Sequence, residues 1–169
     1  MEYFTRSWAL GELTDAEFDK SLADYRGYLA SLDPKGSVRH LADNISLNDA
    51  WIDRLTVESG GVSLLLLTGD LRRGYWRTTI NYVGARIIFG QDALERAVQY
   101  RPTEIWYDEF SGRSRNMVHR FMLVEPHSTV DRGEVHIAFA DLDFSESPAD
   151  ARTLSALPPA ALGLSEPSN

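Results

Sequence analysis

Four histidines, His40, His119, His127 and His136, are the residues whose chemistry could matter most in this chain. A metal centre needs several such side chains, or carboxylates, converging on one point. His119 and His136 fall on adjacent strand-like segments. If the intervening turn centres near Ser128–Thr129, His119 stands opposite about residue 138, and the two histidines become diagonal neighbours. Asp141 follows on the same ribbon, so His119, His136 and Asp141 form the candidate set for a metal-assisted or acid–base hydrolase. No HExxH spacing accompanies them, so no metal ligand is assigned. Nucleophile elbows, P-loops and dinucleotide fingerprints are missing from the sequence, and so is cysteine, which excludes thiol catalysis and zinc ribbons. No catalytic residue and no cofactor follow from these patterns.

A second group of residues points to recognition. Glu134, Asp141, Asp143, Glu146 and Asp150 occur with no Lys or Arg between them, while Glu104, Asp108 and Glu109 flank Trp106, Tyr107 and Phe110. Aromatics anchor protein interfaces and carboxylates steer a basic partner. Glu104, Trp106, Asp108, Asp141 and Asp143 are therefore the candidate partner-binding residues, and a basic protein such as a toxin is the candidate partner. The bland alternative is a solvated, charge-protected sheet edge. Arg72, Arg73, Arg77 and Arg86 gather with Tyr75, Trp76 and Tyr82. Such a set can stack single-stranded nucleic acid, but a net charge of −8 argues against that grip. Tyr25, Trp76 and Tyr82 could also line a small-ligand pocket between helix and sheet.

The elements that must position these residues are legible in the spacing. Thr14 and Glu17 make a capping box, and Phe18, Leu22, Tyr25, Leu29 and Leu32 form one apolar stripe, which predicts a helix over 14–33. From Ala50 the period changes to that of strands. Ser59-Gly60-Gly61 marks a hairpin, Val62–Leu67 reads as a central strand, and Trp76, Thr78, Ile80 and Tyr82 share one face. Further strands follow at 104–110, 117–124 and 134–144, with a short helix at 91–100. In the last strand Val135, Ile137 and Phe139 have one parity, Leu142 and Phe144 the other, which predicts a β-bulge at Ala140–Asp141. The fold class is α+β: an antiparallel sheet built from hairpins, with the N-terminal helix packed on one face. Residues 1–146 make one domain. Residues 147–169 read as a Ser/Pro/Ala-rich tail, with a helical turn after Pro148 and mobility beyond Leu157. The sequence lacks a signal-peptide pattern and any apolar run long enough for a bilayer, so a cytoplasmic protein is expected. An unprotected edge strand would permit homo-oligomers.

The segments Tyr3-Phe4-Thr5-Arg6, Ile45-Ser46-Leu47-Asn48-Asp49-Ala50, Gly69-Asp70-Leu71 with Gly74-Tyr75, Glu104–Glu109, His119–Leu123 and Val135–Phe139 together resemble the DUF4085-like family of uncharacterised bacterial proteins. The resemblance covers most of residues 1–145. It carries no activity over, and a His–Asp pair is usual in that family where this chain has Asn48-Asp49. By analogy with small cysteine-free bacterial α+β proteins, it implies a non-enzymatic protein-binding module of the immunity type.

Overall fold

The computed structural model describes residues 1–156. In chain order its elements are α1 (Arg6–Ala9), α2 (Asp15–Ala30), α3 (Ser37–Asn44), β1 (Ala50–Glu58), β2 (Gly61–Asp70), β3 (Gly74–Val83), β4 (Arg86–Phe89), α4 (Gln91–Gln99), β5 (Glu104–Arg113), β6 (Asn116–Val124), β7 (Asp131–Phe139) and β8 (Asp141–Ala149). The class is α+β with one antiparallel sheet, whose eight strands follow the order β4-β7-β6-β5-β1-β2-β3-β8. None of the described helices is long and apolar enough to cross a membrane.

The parity switch after Phe139 has a structural cause. β7 ends there, Ala140 bends, and β8 begins at Asp141. Gly84 makes the matching bend between β3 and β4, with φ of +61°. A side chain at Gly84 would start 3.2 Å from the Ala140 Cβ, so glycine lets the two bends approach. Val83 pairs with Asp141 and Arg86 with Ala138, which is one continuous register. The expected bulge at Ala140–Asp141 is thus a bend shared by both strands, with no residue inserted. Because β3 borders β2 while β7 borders β6, this ribbon ties the two ends of the sheet together, and the sheet coils around its core. The bulges lie elsewhere. They fall at Asp53 in β1, Ile88 in β4, Trp106 in β5 and Arg132 in β7.

The core fills the concave side. Leu64, Leu66, Ile80, Tyr82, Ile105, Phe110, Phe121, Val135, Ile137 and Leu142 are buried in it. Leu41 of α3 and Ala93, Leu94 and Ala97 of α4 complete it. The capping box of α2 is present, with Glu17 N–H donating to Thr14 Oγ1 and Thr14 N–H to Glu17 Oε2. No residue of α2 is buried, however. Its Tyr25 hydroxyl accepts from Phe110 N–H at 3.1 Å and its Tyr28 hydroxyl donates to the Gly112 carbonyl at 3.2 Å. Its Phe18 stacks on Trp8, which meets Tyr107 edge-on. Buried helical side chains therefore come from α1 (Trp8), α3 and α4, and α2 is joined to β5 through aromatic and hydroxyl contacts.

The boundary expected at residue 146 falls inside β8, and Pro148 continues that strand, pairing with Trp76, where a helical turn was expected. Residues 150–156 then run back over β1, where Ser155 bonds to Asp53. The mobility expected beyond Leu157 lies outside the described residues.

Candidate functional site

The histidine pair does not form. His119 stands opposite Ile137, and His136 opposite Arg120. The actual register differs by one residue from the expected one, and one residue exchanges the faces of a strand. His119 is fully buried, with Phe110 stacked on it at 3.8 Å. Its Nδ1 meets the Tyr82 hydroxyl at 2.8 Å and its Nε2 meets Asp108 Oδ2 at 2.9 Å. A carboxylate can only accept, so Nε2 carries the proton and Nδ1 accepts from Tyr82. Burial holds the His119 imidazole below its ordinary value, against the opposing pull of Asp108. This is a satisfied internal chain with its hydroxyl end sealed in the core. His136 pairs with Glu134 at 2.6 Å, and Asp141 is exposed on the edge strand β8. The set His119, His136 and Asp141 therefore has no common centre. Among the described residues no group of three or more potential ligands converges for a metal ion.

The expected partner-binding residues separate into two places. Glu104, Trp106 and Asp108 lie on β5, whereas Asp141 and Asp143 lie on β8, with β1, β2 and β3 between them in the sheet. Asp108 is turned to His119, and Asp143 accepts from Asn81 at 2.7 Å. Glu104 and Trp106 instead border a surface depression with Asp49, His127 and Arg152. It adjoins a larger groove of about 970 Å³, which the same Asp49, His127 and Arg152 line together with Trp51, Trp76 and the hairpin tip Asp70–Arg73.

Several local features build this groove. Asp49 and His127 both hold positive φ, 64° and 58°, a conformation costly for side-chain-bearing residues and easiest for Asn, Asp and His. Asp70 accepts from the backbone N–H groups of Arg72 and Arg73 at 2.7 and 2.8 Å, which fixes the hairpin tip. That tip leaves Leu71 90% exposed, and Trp76 beside it is 36% exposed. Trp51 pairs directly with Glu104 across β1 and β5. Its Nε1–H donates to Glu104 Oε2 at 3.3 Å, and Arg152 lies with its guanidinium carbon 4.0 Å from the centre of the Trp51 ring. Arg152 also donates to the Asp49 carbonyl and stands 3.7 Å from Glu104. Burial pushes the Glu104 carboxyl above its ordinary value; the Trp51 hydrogen bond and Arg152 pull the other way.

Of the three residues expected around a ligand pocket, only Trp76 lines this groove. Tyr25 borders a separate cavity of about 350 Å³ and Tyr82 is buried in the core. Trp51 and Arg152 were missed by sequence reasoning. Trp51 looked like any strand aromatic. Arg152 stood in a segment whose composition reads as tail, and its partners Asp49, Trp51 and Glu104 are all distant in the chain, so nothing local marks it. No protein-family model matches the chain, and comparison with curated proteins and with solved structures likewise yields no match.

Proposed function

We propose that this chain is a non-enzymatic bacterial protein-binding module of the immunity type, acting in the cytoplasm, whose docking surface is the groove between Trp51, Trp76 and the Asp70–Arg73 tip. The observation that carries this reading is the fixed hairpin tip, which holds Leu71 90% exposed beside a half-exposed tryptophan at the mouth of a large groove. Preformed aromatic and aliphatic anchors of this kind are what a docking partner covers. Two of the carboxylates around the groove are engaged with neighbouring groups. Glu146 accepts from Thr78 at 3.0 Å, and Asp70 from its own turn. A reaction centre would instead need groups aimed at a vacant point. Net charge of −8 favours a basic partner, and Arg72 and Arg73 at the tip would exclude partners without a matching acidic group. Two segments that carry the family resemblance, Ile45–Asp49 and the Gly69–Tyr75 hairpin, border this groove.

The test is affinity capture from the native host in cells that express the neighbouring genes, with wild type and the Leu71→Asp/Trp76→Ala variant side by side. The expected result is one basic protein, held by wild type in equal amount, released by salt and absent from the variant. Recovery of the bait alone at low salt, or equal capture by the variant, would overturn the reading.

A further inference from the structure

After β8 ends at Ala149, the chain crosses back over β1 and places Arg152 in a corner made by Trp51, Glu104 and Asp49. The parts of that corner are an aromatic face, a carboxylate and a backbone carbonyl. All three attract a planar cation, and their combination suits guanidinium better than ammonium, because guanidinium stacks and donates in its plane at once. The fit of Arg152 is incomplete. At 3.7 Å from Glu104 it is beyond hydrogen-bonding distance, and its buried Nε–H has no partner among the described residues. Glu104, at 5% exposure, otherwise accepts only from Trp51 among the described residues. The corner opens onto the groove, since Arg152 and Asp49 line it.

We propose that the Trp51–Glu104–Asp49 corner is a guanidinium-recognition site, filled by Arg152 in the free protein and by an arginine side chain of the basic partner in the complex. The proposal rests on the protein-binding reading of this surface. Arg152 is a competitor in the same chain, so an incoming arginine meets a site that is free only part of the time. Its apparent affinity is reduced by that fraction. The burial that raises the Glu104 carboxyl fits a carboxylate that Arg152 does not fully neutralise.

The experiment uses the full chain with Arg152→Ala and titrates it with acetyl-arginine amide, following heat of binding and Tm. Saturable binding with a rise in Tm is expected, with wild type binding about tenfold more weakly. Acetyl-lysine amide should bind less tightly than the arginine probe, and Glu104→Gln in the Arg152→Ala background should abolish binding. If Arg152→Ala does not fold, its recovery by the arginine probe also supports the site. Arg152→Gln, which keeps part of the stem over Trp51, then carries the titration. No saturable binding to either variant, equal binding of the lysine probe, or binding that survives Glu104→Gln would overturn the assignment. The probe needs no partner, so the two readings fail separately. Probe binding without a captured partner removes the protein-binding reading, whereas a captured partner without probe binding removes this site alone.

Discussion

Two buried carboxylates, Asp53 of β1 and Glu104 of β5, lie near the same short seam of the sheet and are treated very differently. Asp53 sits in a bulge that turns it inward next to Ile52, which is also buried. It accepts from Arg77 at 3.1 Å, from Arg101, and from the Ser155 N–H and hydroxyl at 2.7 and 2.6 Å. Glu104 is nearly as deep but among the described residues accepts from Trp51 alone, with Arg152 standing off at 3.7 Å. Depth is therefore not what separates a structural charge from an available one. The count of satisfied lone pairs is. Asp53 fastens three parts of the chain to one another, and Glu104 keeps acceptor capacity at the edge of a groove.

The largest effect that could break this contrast is at Asp53. Asp53→Ala leaves Arg101 buried without a counter-charge and should lower the free energy of unfolding by about 3–5 kcal/mol, read from urea denaturation. A loss near 1 kcal/mol would mean that the carboxylate is not the hub described. The second effect extends the comparison to the other satisfied network. Tyr82→Phe leaves the buried His119 Nδ1 without its donor and should cost about 1–3 kcal/mol. The same network has a pH signature. Burial lowers the His119 value in the folded chain, so the unfolded chain binds the proton first as pH falls. Its stabilising contribution is complete above the ordinary value of 6.5 and is lost as pH falls through the folded value. Wild type should therefore weaken on acidification below pH 6.5, and His119→Phe should flatten that slope in a series of urea midpoints. Smallest is Ser155→Ala, which removes one of four donors to Asp53 and should cost about 1 kcal/mol.

The same contrast shows what the sequence could reveal. Alternation located strands such as β3 and β7, because one face of each is buried. The Thr14–Glu17 pair located the start of α2, because capping is local. The parity change after Phe139 located the bend, although not its form. What stayed hidden depends on register or on distant partners. A slip of one residue in the β6–β7 pairing placed His136 beside His119, when it lies on the other face. Asp108 read as a surface acid, yet it is the terminus of a buried chain through His119. Ser155 and Arg152 read as tail residues because Ser, Pro and Ala surround them, and only the fold brings them to Asp53 and Trp51.

If Glu104 serves recognition while Asp53 serves the fold, neutralising Glu104 should not harm the free protein. The direct measurement is the stability of Glu104→Gln against wild type, by urea unfolding across pH 4 to 8. Burial raises the folded-state value of Glu104 above the ordinary 4.5, so its contribution to stability is full below that value and is lost as pH rises through the folded one. The account predicts that Glu104→Gln matches wild type at the acid end and equals or exceeds it at neutral pH, its relative standing improving upward from about pH 4.5. A neutral-pH deficit as large as that of Asp53→Ala would contradict it and make Glu104 a second structural charge.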